Sequence, residues 1–252
     1  MRIMHSGKSG LLFLLILIPS LIADGQTRRH PAPPYEQGNR RPADDGDAPY
    51  EDADKSISVD TQAGDGVLSP NARKVIAEIN LMRRDPASYC RNYLVPLRAY
   101  YDGDLYKYPG AIPVRTKEGA AALDECIREL EHARPLPGFS SSKGLSLAAR
   151  DHVRDQGPSG MFGHTGSDGS SIVNRVSRYG QWELTVGENI SYGYGDARKI
   201  VAALLIDDGI PSRGHRKNLL NGSYHLVGVN VGPHRLYGDM CVMDFAGGYR
   251  SR

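Results

Sequence analysis

Between residues 24 and 68 the chain carries ten acidic and five basic side chains and five prolines, but from the Leu, Ile, Val and Phe set only Ile57, Val59, Val67 and Leu68. A stretch so poor in apolar surface cannot offset the entropy of ordering it, and it reads as a disordered linker or pro-segment. Folding is thereby confined to residues 69–252, long enough for one domain that buries most of its surface without crosslinks. Ahead of the linker, Arg2 and Lys8 precede an unbroken apolar run from Leu11 to Ile18, then Pro19-Ser20 and Leu21-Ile22-Ala23. That order predicts a secretory signal peptide over residues 1–23, cleaved after Ala23 or Gly25. A membrane anchor is the competing reading, but a bilayer core takes roughly 20 apolar residues and this run breaks at Pro19. The mature protein is expected to be soluble and secreted, with no transmembrane anchor.

The formal charge of +2 divides into +2 for the leader, −5 for the linker and +5 for the remainder. Such a mild balance argues against a dedicated nucleic-acid partner, which needs a concentrated basic surface. Three cysteines, Cys90, Cys126 and Cys241, allow at most one disulfide. Stability must therefore come from packing even in an exported protein.

Within the domain, Ser69-Pro70 is a capped helix start, and Val75, Ile76, Ile79 and Met82 recur on one face until Asp85-Pro86. A second helix is predicted from near Thr116, with Glu118 in its first turn and Leu123, Cys126, Ile127 and Leu130 inward. Shorter patterns run from Leu145 to Asp155 and from Ile172 to Tyr179, and a mostly apolar one runs from the cap Asp196 through Leu205. Val227, Val229 and Val231 then alternate, Gly232-Pro233-His234-Arg235 reads as a turn, and Met240, Val242 and Ala246 share a second alternation. A further strand is expected over Glu188–Tyr192. Helices first and strands later, without βαβ alternation, predict an α+β domain with a largely antiparallel sheet covered by helices.

Four polar side chains stand close to glycines: His164 in Gly163-His164-Thr165-Gly166, Glu188 in Gly187-Glu188-Asn189-Ile190, Asp207, and His215 in Gly214-His215-Arg216-Lys217-Asn218. Imidazoles bind divalent metals or move protons near neutral pH, and carboxylates fix their tautomer and orientation. In these motifs the chain resembles the microbial branch of the CAP superfamily (cysteine-rich secretory, antigen 5 and pathogenesis-related 1 proteins), also called SCP-like extracellular proteins. Ile79 to Arg83 and Leu145 to His152 resemble that family's first helix and the helix before its first histidine, so the likeness spans about residues 70–250. It implies an α-β-α sandwich and a cleft of two histidines and two acids, His164, Glu188, His215 and a fourth member on the helix before the second histidine. Asp207 fits that position and Asp208 is one residue away; periodicity cannot choose on a helix apolar on most sides. Leu204 stands where the family commonly has tryptophan, and the paired cysteines of animal and plant members are missing, so sterol binding transfers poorly.

For His164 and His215 the functional expectation is a shared divalent metal, with zinc the best match; the structural alternative is a hydrogen-bonded pair stapling the cleft. Glu188 would orient an imidazole, or act as general base in a metal-dependent hydrolase. No Gly-x-Ser-x-Gly elbow or His-Glu-x-x-His helix occurs, and Ser167 reads as a turn residue. The expected role is an extracellular binding module with a lipid, glycan or protein ligand. His152 is expected to pack, His225 and His234 to be exposed, and Trp182 to anchor the core. The tyrosines from Tyr89 to Tyr108 would line a partner surface or pack a long loop, and Asn221 is the accessible one of two glycosylation sequons.

Overall fold

The computed structural model describes residues 68–252 and the backbone of a two-residue strand, β1 (Phe13–Leu14). The expected leader, apart from that strand, and the linker through residue 67 lie outside the described residues. Leu68, assigned above to the linker, instead packs into the core.

Helix α1 (Pro70–Arg84) starts as expected, with the Ser69 hydroxyl accepting the Ala72 N–H. Its inward stripe, Val75, Ile76, Ile79 and Met82, is fully buried. The short helix α2 (Pro86–Tyr89), a π-helical turn (Cys90–Leu94) and a 3-10 turn (Val95–Tyr100) follow. Next come three two-residue strands, β2 (Tyr101–Asp102), β3 (Leu105–Tyr106) and β4 (Val114–Arg115), forming a small sheet in the order β1-β4-β3-β2. Helix α3 (Ala121–His132) begins later than its periodicity predicts. The N–H groups of Lys117 and Glu118 bind the Asp208 carboxylate at 2.7 and 2.9 Å, and Gly119 is left-handed at φ +60°, so the chain is committed to a turn there.

The main sheet has the order β5-β7-β8-β6, with β5 (Ser140–Ser141), β6 (Gly180–Tyr192), β7 (Leu226–His234) and β8 (Gly238–Ser251). Within it, only β5 and β7 run parallel. Strand β6 is longer than expected and has an irregularity between Glu183 and Val186. The hairpin turn falls later than its sequence suggests: Pro233 and His234 stay in β7, and His234 Nδ1 accepts the N–H groups of Leu236 and Tyr237. His234 is consequently buried rather than exposed, whereas His225 is exposed as read. Trp182, on the edge strand β6, is 37% exposed and does not anchor the core.

Alternation splits β8 between two layers. Cys241, Met243 and Phe245 face α1, α3 and α6 (Ala197–Ile206), while Met240, Val242 and Ala246 face α4 (Lys143–Ser159) and α5 (Ile172–Ser177). This is a mixed α+β domain with a central, largely antiparallel sheet between helical layers. A last helix, α7 (Gly214–Leu219), follows α6. All three cysteines are free and buried. No described helix is long and apolar enough to cross a membrane.

Helix α4 comes unusually close to β7. A Cβ at Gly228 would lie 2.1 Å from the Leu145 carbonyl carbon and from the Ser146 nitrogen. Backbone cannot yield there without separating the layer from the sheet. Gly228→Ala is expected to destabilise by about 3 kcal/mol, lowering Tm by roughly 6–12 °C at this size. A melting curve within 2 °C or so of wild type would contradict that close packing.

Candidate functional site

The loop after α4 carries His164, and three groups fix it from beneath. His152 Nε2 and Gln156 Nε2 donate to the Gly163 carbonyl at 2.8 and 2.9 Å, and Gln156 also reaches the Thr165 carbonyl at 3.1 Å. The Gly163 N–H in turn donates to the Tyr192 hydroxyl at 2.9 Å. Gly163 has φ +102°, a conformation only glycine adopts freely. His152, expected only to pack, therefore holds the loop; burial depresses its pKa, which keeps it neutral.

His164 Nδ1 meets Glu188 Oε1 at 2.7 Å, and the second oxygen of Glu188 accepts from Arg175 Nη2 at 2.5 Å. Arg175, on α5, also donates from Nη1 to the carbonyls of His164 and Ser170 at 3.1 and 3.0 Å. All three side chains are buried. Burial pushes the Glu188 carboxyl up, but the His164 hydrogen bond and the Arg175 charge outweigh it and hold the group down at about 2.

The other two expected members pair separately. His215 Nδ1 meets Asp207 Oδ1 at 2.6 Å, and the His215 N–H donates to Asp207 Oδ2 at 2.9 Å. Asp207 ends α6 in the left-handed region (φ 56°), which brings its carboxylate round to the start of α7. The two aspartates have different partners: Asp208 binds the 117–118 backbone and Asp207 holds the imidazole. Both oriented histidines share one pattern, Nδ1 on a buried carboxylate. His215 Nε2 is buried and has no hydrogen-bond partner among the described residues.

Adjacent residues of the edge strand β6 link the pairs. Glu188 carries His164, while Asn189 Nδ2 donates to the His215 carbonyl at 3.0 Å and Asn189 Oδ1 accepts from Asn218 at 2.9 Å. The two sequence motifs thus interlock through amides. Among the described residues, however, no group of three or more His, Cys, Asp or Glu side chains lies close enough to hold a metal.

Several residues of the site escaped the sequence reading. Asp244 stands directly across from Glu188 in the β6–β8 register, wholly buried, and neither of its oxygens has a hydrogen-bond partner among the described residues. Burial, and then the Glu188 charge, raise its pKa well above the ordinary carboxyl value. Its signal was a carboxylate at an inward position of an alternating apolar strand. Arg213 and Arg216, beside His215, brace the second pair. Arg213 binds Glu118 and Glu125 and donates to the Asp207 carbonyl at 2.9 Å. Arg216 Nε and Nη2 cap the last carbonyls of α6, at Leu205 and Ile206. Ser167, in its expected turn, hydrogen-bonds Asp155.

Comparison with known proteins agrees with the motifs. The model of the cysteine-rich secretory protein family, CAP, matches residues 79–245, more than half of the chain. Two similar curated proteins come from Bacillus subtilis: the uncharacterized membrane protein YlbC, 26% identical over 54% of this chain, and the uncharacterized protein YkwD, 29% identical over 42%. The chain spans 39% and 38% of their lengths, well under half of either. Among solved structures, an extracellular protein containing a SCP domain from Bacillus anthracis aligns at 25% identity and a TM-score of 0.37, over 48% of this chain and 36% of that one. An outer surface protein from Borrelia burgdorferi aligns at 22% identity and a TM-score of 0.38, over 44% of this chain and 78% of that one.

The raised pKa of Asp244 generates a pH signature. Its folded pKa lies above the unfolded value of about 3.9, so the stability it contributes is complete below that pH and is lost as pH rises toward the folded pKa. Asp244→Asn keeps the neutral shape and removes the loss. The variant should match wild type near pH 4 and melt at least about 2 °C higher at pH 7. A difference that stays constant between pH 4 and 7 in calorimetry would show that Asp244 ionises in the fold.

Proposed function

Because this chain belongs to the cysteine-rich secretory protein (CAP) family, we propose that it is an extracellular binding module whose two carboxylate-oriented histidines, His164 and His215, take a divalent cation. The observation that carries this reading is the shared orientation of the imidazoles. Each has its Nδ1 committed to a buried carboxylate, the arrangement that fixes a histidine to coordinate through Nε2. At His215 that Nε2 is buried without a partner among the described residues, and an uncompensated buried polar atom is costly unless something binds it. Two imidazoles suit zinc better than magnesium or calcium, which prefer oxygen ligands. Two protein ligands make a site weaker than a structural zinc centre, with positions left for a ligand. Bound there, the ion would polarise a carbonyl or phosphoryl oxygen presented to it.

In this reading Glu188 and Asp207 orient. A carboxylate held near 2, with one oxygen on His164 and the other on Arg175, is poorly matched to take a proton at neutral pH. That favours a binding module over a metal-dependent hydrolase with Glu188 as base. Export is supported by the charged and apolar pattern of residues 1–23.

Isothermal titration of the whole chain with zinc chloride at pH 7 tests the proposal. Saturable binding is expected for wild type and should weaken at least about tenfold in the His164→Ala/His215→Ala variant, with circular dichroism unchanged. A wild-type chain that takes up no zinc, or a folded double variant that binds as well, would sink it.

A further inference from the structure

We propose that a tyrosine-lined cavity between α6 and the β2–β4 sheet is a second binding site, for a small uncharged aromatic molecule of one or two rings bearing a polar group. The site is separate from the histidine pairs and does not depend on the metal proposal.

The cavity measures about 200 Å³ and is lined by the rings of Tyr93, Tyr101, Tyr106, Tyr108 and Tyr194. An apolar cavity of about 150 Å³ already accepts benzene, so this one has room for a one- or two-ring guest. The rings brace one another: Tyr101 and Tyr106 have centroids 4.9 Å apart, and Tyr106 and Tyr108 lie 6.2 Å apart. Both contacts are tilted, and a flat guest would add a further ring to the cluster. The remaining walls include Val114 on the sheet side and Ile206 on the helix side.

Each of the five rings carries a hydroxyl, and none of these hydroxyls hydrogen-bonds a protein group among the described residues. Burial raises the pKa of Tyr101, Tyr106 and Tyr194, so they remain neutral donors and acceptors at pH 7. An apolar pocket with a few polar groups left to fix orientation is the usual form of a small-molecule site.

The charges around the cavity select against an ionic guest. Arg198 is paired with Glu78 and lies over Tyr93 at 3.8 Å, and Lys199 lies over Tyr108 at 5.1 Å. Asp196 caps α6 through the Lys199 N–H, and Asp208 binds the 117–118 backbone. With Glu78 counted, two cations stand against three carboxylates, so an anionic guest meets no net attraction, and both lining carboxylates already accept backbone N–H groups. A sugar of similar size has several hydroxyls to satisfy on leaving water, whereas a phenol-like guest has one polar group.

Fluorescence titration of the whole chain with 2-naphthol at pH 7 tests the site. Saturable binding below about 1 mM is expected, and 2-naphthoate should bind no more tightly. Ala203→Leu fills the cavity from α6, and Ile112→Asp places a charge at its 56% exposed rim without touching the core. Each folded variant should raise Kd at least about tenfold, while His164→Ala/His215→Ala should bind as wild type. No saturation by wild type, unchanged Kd in Ile112→Asp, or displacement of naphthol by N-acetylglucosamine would overturn the assignment.

Discussion

The Glu188 carboxylate is charged and buried between a sheet and a helical layer, and the surrounding architecture answers that one burden. An ion moved out of water is tolerable only when opposite charge and hydrogen bonds replace the solvent. Here the replacements come from two separate segments: His164 from a loop and Arg175 from α5. Neither could shift far without stranding the charge. A group that would ordinarily weaken a core thus draws loop, helix and sheet into one arrangement.

The second pair depends on a comparable arrangement built from the opposite end of α6. Arg216 takes the helix's final carbonyls, Arg213 holds the Asp207 carbonyl, and both lean on glutamates of α3. Asp207 is thereby kept in a backbone conformation that a non-glycine residue seldom adopts. The imidazole it orients lies on a six-residue helix too short to be stable alone. Its position is a property of the salt-bridge network rather than of α7.

Much of this was legible in the residues. Caps at Ser69 and Asp196, the helical stripe of α1 and the alternation of β7 all followed from local chemistry, because burial imposes its period on the sequence. The glycine-flanked motifs located His164, Glu188 and His215. What could not be read was partnership across long separations. Arg175 looks like any arginine on a short helix, and Asp207 and Asp208 are indistinguishable until the chain folds back on residues 117–118. Trp182 misled because a large ring suggests a core, while its strand lies at the sheet edge. Asp244 was hidden by its neighbours: Met240, Val242 and Ala246 carry the period, and the acid between them breaks it.

The three cysteines give the fold an independence from its surroundings. Each thiol is sequestered, and burial pushes Cys90 to about 11 and Cys126 to about 12, with Cys241 raised as well. The nucleophilic thiolate is therefore nearly absent at neutral pH, and neither exchange nor oxidation has a ready foothold. A domain built this way needs no oxidant to mature and loses nothing to a reductant. It can keep one structure across compartments of opposite redox poise.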